Sequence, residues 1–242
     1  GGVFCLAFDR GGERLISGGA DGTAKIWDVR TGAEIAELKG HQQPVRCVAS
    51  SADGRWIAGG SDDCTIMLWD ATTFELLRTL YRHEHDVMSV AFSPDGTQIV
   101  SGSWHGVLSL WDVATGDVLR TIDKQEDAVR SVSFSPDGRR LAFGGDDNTI
   151  RLWDPKTGEE PATLRGHAGP VTSVAFSSDG RILASASADR TVVMWELEEA
   201  EGPKPDDRPI AKQPSRKQGK LAATPSAAPT TKPQTPTVGK PP

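Results

Sequence analysis

Thr149-Ile150-Arg151-Leu152-Trp153-Asp154 is an alternating, apolar-rich hexapeptide that closes on a Trp-Asp pair, and the chain carries it in five versions. Trp27-Asp28, Trp69-Asp70, Trp111-Asp112 and Trp153-Asp154 are followed by a worn Trp195-Glu196, and tryptophans 27, 69, 111, 153 and 195 are evenly spaced by 42. Self-similarity at such a period marks stacked structural repeats that share one continuous core. The repeats end near 28, 70, 112, 154 and 196, and the sequence therefore describes a scaffold first and its cargo second.

The copy that starts at His167 shows the plan of one repeat. Residues 171–176 alternate and read as a strand. Ser177-Ser178-Asp179-Gly180 then turns the chain, and its relatives Ser93-Pro94-Asp95-Gly96 and Ser135-Pro136-Asp137-Gly138 put proline second and glycine last, as a type I turn with a following bulge requires. A second strand, 182–187, matches 15–19, 57–61, 99–103 and 141–145. A tight turn follows, with Asp21, Asp63, Asp147 and Asp189 in register and Gly22, Gly106 or Asn148 next, residues that tolerate positive φ. The third strand ends in the Trp-Asp pair, and turns such as Thr115-Gly116 and Thr157-Gly158 lead to a fourth strand at 35–38, 76–80 or 118–122. Four short antiparallel strands per repeat make one propeller blade, so the fold class is all-β.

The Gly40-His41 and Gly166-His167 pairs, the turn aspartate and the terminal Trp-Asp resemble the WD-repeat β-propeller family over residues 1 to about 197. The resemblance implies a radial array of blades, usually seven, and a relay from the tryptophan indole through a strand-two Ser or Thr and the His to the turn Asp. A buried indole N–H needs such an acceptor. Carried over, the relay is complete only in the last copy, as His167, Ser185, Asp189 and Trp195; elsewhere Gly59 and Phe143 replace the Ser, Gln125 replaces a His, and His105 replaces an Asp. Trp27, Trp69, Trp111 and Trp153 are the remaining structural tryptophans.

Strand counting predicts five blades in an N-terminally incomplete ring. The first copy starts at its inner strand, 3–8, and the fifth has no fourth strand, because 198–203 is acidic and stopped by Pro203. Two bare blade faces of about 400 Å² each would forgo roughly 10 kcal/mol apiece. That rivals the stability of a whole domain, about 5–15 kcal/mol. The expectation is one or two further blades upstream, and a soluble, monomeric, cooperatively melting preparation of 1–200 would contradict it.

Residues 1–199 form the propeller segment and 200–242 a Pro/Lys-rich tail. Ten prolines and eight basic against two acidic residues in 203–242 predict disorder with polyproline character. Its PxxP spacing at 233–236 and its Thr224-Pro225 and Thr235-Pro236 pairs are read as solvated linker. Taking the tail from the totals of 27 basic and 33 acidic residues leaves 19 and 31, a net of −12, in the body. Such a field repels phosphates and argues against nucleic-acid binding by the propeller itself. No apolar run approaches the roughly 18 residues of a membrane span, and no secretory signal is visible.

The three cysteines lack metal-ligand spacing; Cys5 and Cys47 align with Ser89, Ser131 and Ser173 in a slot for small residues, which suits a reducing, cytoplasmic compartment. His83-Glu84-His85-Asp86 supplies no closed four-ligand set and is read as an exposed loop. The glycine pairs at Gly18, Gly59 and Gly144 are strand positions, not phosphate loops. No cofactor, metal or catalytic group is expected, and the chain is read as a noncatalytic scaffold.

What remains is surface. The resemblance places ligands on the face made by the tight turns and the inner-strand starts. There Arg46, Met88, Arg130 and Thr172 stand at strand starts, and Ala20, Asp62, Trp104, Asp146 and Ala188 stand beside the turn Asp. Arg46, Asp62, Met88, Trp104, Arg130 and Asp146 are the candidate partner-binding residues. Trp104 with Met88 and Arg130 makes an aromatic and Arg hot spot in one reading, and folds over its own blade edge to compensate for His105 in the other. Phe74 is read as a second exposed aromatic on the opposite face. The expected function is docking of a protein or peptide; the rivals are a recruiting module of a larger enzyme such as a kinase, and a reader of basic peptides or histone tails.

Overall fold

Alternating apolar residues broken every few positions by a Gly-bearing turn leave each segment too short for anything but a strand, and the computed structural model, which describes residues 1–122, 127–159 and 162–197, contains nineteen of them and no helix among those residues. The first sheet is β1 (Val3–Phe8), β2 (Arg14–Gly19), β3 (Ala24–Asp28) and β4 (Glu34–Leu38). The second is β5 (Val45–Ser50), β6 (Trp56–Ser61), β7 (Thr65–Asp70) and β8 (Leu76–Tyr81). The third is β9 (Val87–Phe92), β10 (Gln98–Ser103), β11 (Leu108–Asp112) and β12 (Val118–Ile122), and the fourth β13 (Val129–Phe134), β14 (Leu141–Gly145), β15 (Thr149–Trp153) and β16 (Ala162–Arg165). The fifth holds three, β17 (Val171–Phe176), β18 (Ile182–Ser187) and β19 (Val192–Glu196). Every pairing is antiparallel between sequence neighbours. Several strands begin one residue earlier than the sequence suggests, at Arg14, Glu34, Trp56 and Gln98. The tail and Gln125 lie outside the described residues.

The sheets pack face to face in chain order, with β1 on β5, β5 on β9, β9 on β13 and β13 on β17. Four apolar clusters fill the spaces between blades, and each holds one of the repeat tryptophans, Trp69, Trp111, Trp153 or Trp195. A valine at each inner-strand start keys the stack: Val45, Val87, Val129 and Val171 are at most 2% exposed and lie over Gly18, Gly60, Gly102 and Gly144 of the preceding blade. The register glycine of the second blade is therefore Gly60, and Gly59 falls one position before it, in the relay slot. The small-residue slot also joins blades. Ser89 and Ser131 accept the backbone N–H of Val132 and Val174 at 3.1 and 3.0 Å, and the Cys47 thiol lies 3.6 Å from the Val87 carbonyl.

On the first sheet the same positions are open. Val3 and Leu6 are 63% and 60% exposed, whereas their register equivalents are buried. Phe74 departs from expectation. It keeps the positive φ of a turn variant, 62°, but is half-buried and packs on the cluster containing Ile16, Trp69 and Ala71 instead of standing free.

Candidate functional site

The turn-bearing end of the stack is built by one repeated device. The ladder between the first two strands of every blade skips one residue, a β-bulge, and the skipped residues are Phe4, Arg46, Met88, Arg130 and Thr172. A bulge leaves its extra residue unpaired and re-aims its side chain. The residue before each turn aspartate position then ties back to the segment leading into the inner strand: Ala20 N–H to Gly2, Asp62 to Pro44, Trp104 to Asp86, Asp146 to Ala128 and Ala188 to Pro170, at 2.9–3.1 Å. Backbone alone thus sets two variable side chains next to each other in every blade.

Two of these pairs are filled by an ion pair backed by an aromatic ring. Arg46 donates from Nε and Nη2 to the two Asp62 oxygens at 2.7 Å each, and its guanidinium carbon lies 4.5 Å from the Phe4 ring centroid. Arg130 forks onto Asp146 in the same way and lies 5.2 Å from the Trp104 ring centroid. Bidentate pairing fixes the fork, and the ring faces favour the cation. Hydrogen bonding to the carboxylates raises both guanidinium pKa values further, outweighing burial. The structure thus brings Trp104, Arg130 and Asp146 together, and separately Arg46 and Asp62. Trp104 is 44% exposed, with the Arg130 guanidinium of the next blade over its ring. Met88 is half-buried at its bulge. Phe4 escaped the sequence reading although it occupies the bulge slot 42 positions before Arg46.

The opposite end of the axis also opens. A cavity of about 450 Å³ is lined by the ends of all five inner strands, with Phe8, Phe92, Phe134, Phe176, Pro94 and Pro136 on its wall. Their sequence signal was a Phe before the turn in four copies of five, which reads equally well as ordinary core.

Beneath the turn-bearing rim lies the polar relay. In the fifth blade Trp195 Nε1 donates to Ser185 Oγ at 2.8 Å, Ser185 meets His167 Nε2 at 2.8 Å, and His167 Nδ1 meets Asp189 Oδ2 at 3.0 Å. Burial opposes charge on Asp189, but bonds from Thr191, Ala168 and His167 hold its carboxyl well below the usual range. In the second blade His41 keeps Asp63 at 2.8 Å, but with Gly59 in the Ser slot its Nε2 faces the Gly59 carbonyl at 3.2 Å and Trp69 donates to the Lys39 carbonyl at 3.4 Å. In the first, Trp27 donates to Ser17 at 2.8 Å. In the fourth, Phe143 fills the slot and Trp153 Nε1 is buried without a partner among the described residues.

The third blade keeps half the relay. Trp111 Nε1 donates to Ser101 Oγ at 2.9 Å and Ser101 meets His83 Nε2 at 2.6 Å, but His105 stands where the carboxylate would be. Burial, helped by Arg82, pushes the His83 pKa down to about 4 from 6.5. Its imidazole is neutral in the fold, so an unfolded chain binds a proton that the folded one refuses. Stability is therefore undiminished by this group above about pH 6.5 and falls as pH drops from there to about 4, by on the order of 3 kcal/mol in full. Urea midpoints followed over that window should show this loss in the parent chain and a flatter profile in His83→Gln.

Cys5 and Cys47 are core thiols, with burial pushing Cys5 up to about 11 and Cys47 well above its ordinary value. All three cysteines are free. No cluster of three or more metal-ligating side chains occurs among the described residues, and no helix there is long and apolar enough to cross a membrane.

The stack of four four-stranded sheets and one three-stranded sheet, with its indole relays and variable rim, defines a propeller of repeats. The chain belongs to the WD-repeat β-propeller family: a family profile described as "IFT122 first beta-propeller" matches residues 2–160, and "WD domain, G-beta repeat" matches 158–196. It is similar to Denticleless protein homolog B of Xenopus laevis, 48% identical over 40 residues, and equally to Denticleless protein homolog of Xenopus tropicalis. Each of these alignments spans 16% of this chain and 6% of the relative's length. Propellers of this family generally mediate protein–protein interactions and are typically noncatalytic.

Proposed function

We propose that the chain is a noncatalytic, cytoplasmic docking platform whose protein or peptide partner sits on the turn-bearing face, centred on Trp104, Arg130 and Asp146, with Met88 and the Arg46–Asp62 pair on the same rim. The observation that carries this reading is the bulge device. A framework repeated five times holds side chains that differ between blades, Phe4, Met88 and Thr172 alternating with the two Arg–Asp pairs, and variable residues on an invariant scaffold are where specificity is stored. A half-exposed Trp stacked on an ion-paired Arg supplies the rigid aromatic and guanidinium anchors that dominate interface energetics. The net negative body opposes phosphate backbones, so neither nucleic acid nor membrane is assigned to this face.

Trp104→Ala should leave folding intact and weaken partner capture by at least about 2 kcal/mol, some thirtyfold. Quantitative pull-down from cell extract with the parent chain and the variant checks it. Identical partner lists and yields would remove Trp104 from the site.

A further inference from the structure

Two blades show what the rim beneath the turn is shaped to hold. In the second, one oxygen of Asp63 receives His41 Nδ1 at 2.8 Å and the backbone N–H of Gln42 at 3.0 Å. In the fifth, one oxygen of Asp189 receives His167 Nδ1 at 3.0 Å and the N–H of Ala168 at 2.9 Å. The equivalent donors of the third blade are His83 Nδ1 and the N–H of Glu84, but the residue facing them is His105. Its ring turns away and stacks on His85, with centroids 3.6 Å apart and planes inclined by 26°, both rings being exposed.

The protonation of His83 follows from its neighbours. Ser101 accepts the Trp111 indole, and its hydroxyl lies 2.6 Å from His83 Nε2 but 3.5 Å from the Ser109 carbonyl, so its own hydrogen goes to the nearer imidazole nitrogen and the imidazole hydrogen stands on Nδ1. His83 is 7% exposed, and this Nδ1 has no partner among the described residues. A buried donor left unmade is costly, which gives the third blade a drive toward an acceptor that its sisters have satisfied internally.

We propose that the third-blade rim is a socket for a carboxylate, taken from an aspartate or glutamate of an extended partner peptide, which displaces the His85–His105 pair and accepts the N–H groups of His83 and Glu84. This rests on the reading of the turn-bearing face and specifies its partner as an acidic-residue peptide. His105 follows Trp104 directly in the chain, so a peptide lying over the Trp104–Arg130 pair passes the socket. Glu84 and Asp86 flank the site and oppose free anions. A carboxylate must therefore be delivered on a chain held by neighbouring contacts, and an amide of the same shape, whose single carbonyl oxygen can reach both N–H groups but carries no charge, fits less well.

The test uses the full chain, labelled at its histidine nitrogens and backbone amides, titrated with acetyl-Leu-Asp-Leu-amide and with acetyl-Leu-Asn-Leu-amide. The Asp peptide should shift the His83 imidazole and Glu84 amide signals with at least tenfold lower dissociation constant than the Asn peptide. His105→Asp, which supplies the missing carboxylate internally, should abolish the His83 response while melting no lower than the parent. Equal response to both peptides, an undiminished response in His105→Asp, or a silent His83 up to millimolar peptide would each overturn the socket. A silent His83 with shifted Trp104 and Arg130 signals would sink the socket and leave the docking face standing; silence at Trp104 and Arg130 when the captured partner is added would sink the face itself.

Discussion

Gly60→Ala should be among the most damaging single-methyl additions in the molecule, lowering stability by about 3 kcal/mol. A Cβ at Gly60 would lie 2.6 Å from Cys47 Sγ and 2.6 Å from Val87 Cγ1. Both neighbours are buried, 8% and 0% exposed, so neither side chain has room to withdraw. Cys47 belongs to the same blade and Val87 to the next, so the added methyl would wedge two blades apart across an interface that is close-packed. Urea unfolding should show a lower midpoint with an unchanged slope, and Gly60→Ala combined with Val87→Ala should lose less stability than the sum of the two single losses, because the second change makes room for the first. A Gly60→Ala variant as stable as the parent would show that the blades are not keyed by valine over glycine. The fifth blade carries Ala186 in this slot, with no described strand seated on it, which is the arrangement that tolerates a methyl.

The second large effect is a contrast among the tryptophans. Trp111→Phe and Trp195→Phe should each cost about 2–3 kcal/mol more than Trp153→Phe. All three indoles are buried and all three substitutions leave a similar void. Trp111 and Trp195, however, donate to Ser101 and Ser185, and their loss strips a buried relay of a donor. Trp153 Nε1 has no partner among the described residues, because Phe143 fills the serine slot, so phenylalanine there removes a desolvated N–H together with its volume. Trp69, with a single 3.4 Å bond to the Lys39 carbonyl, should fall between the two. Denaturation midpoints of the four variants give the ranking directly, and a Trp153→Phe cost equal to that of Trp111→Phe would contradict the idea that the relay, and not only the ring volume, is what the tryptophans contribute.

Much of this was legible in the residues because the repeat writes it five times. The Trp-Asp spacing, the Ser-Pro-Asp-Gly turns and the β-branched alternation mapped onto strands to within about a residue, since each is a local signal with a local cause. The relay defects at Gly59, Phe143 and His105 are equally visible in the sequence, but what each one leaves behind is not: His41 faces the Gly59 carbonyl, the Trp153 indole N–H has no partner among the described residues, and His83 keeps only Ser101. What hid from the sequence is non-local. The bulge that re-aims Phe4, Arg46 and Arg130 is a matter of register between two strands, and nothing in either strand alone announces it. The sequence therefore does not point to Phe4, and it sets Arg46, Asp62, Arg130 and Asp146 on one face, and Trp104 beside Arg130, without showing that each arginine forks onto its aspartate. Gly60 looked like one of several strand glycines because its reason for being glycine is Val87, a residue of the next blade. Phe74 reads as an exposed aromatic because it fills a turn slot that holds Gly in other copies, and the cluster it packs on is assembled from residues distant in the chain, Ile16 among them. The His85–His105 stack joins two residues whose separate slots gave no hint that they meet.

The proposed docking face and the cavity at the far end of the axis are the two openings of one stack, and amide hydrogen exchange distinguishes them. The full chain, alone and with the partner that it captures, should show new protection at 84–88, 104–106 and 127–130, around Trp104 and Arg130, with the turns at 93–96 and 135–138 unchanged. Protection confined to those turns and to the Phe92 and Phe134 ends of the inner strands, with none at Trp104, would place the partner at the wrong end of the propeller and contradict the account.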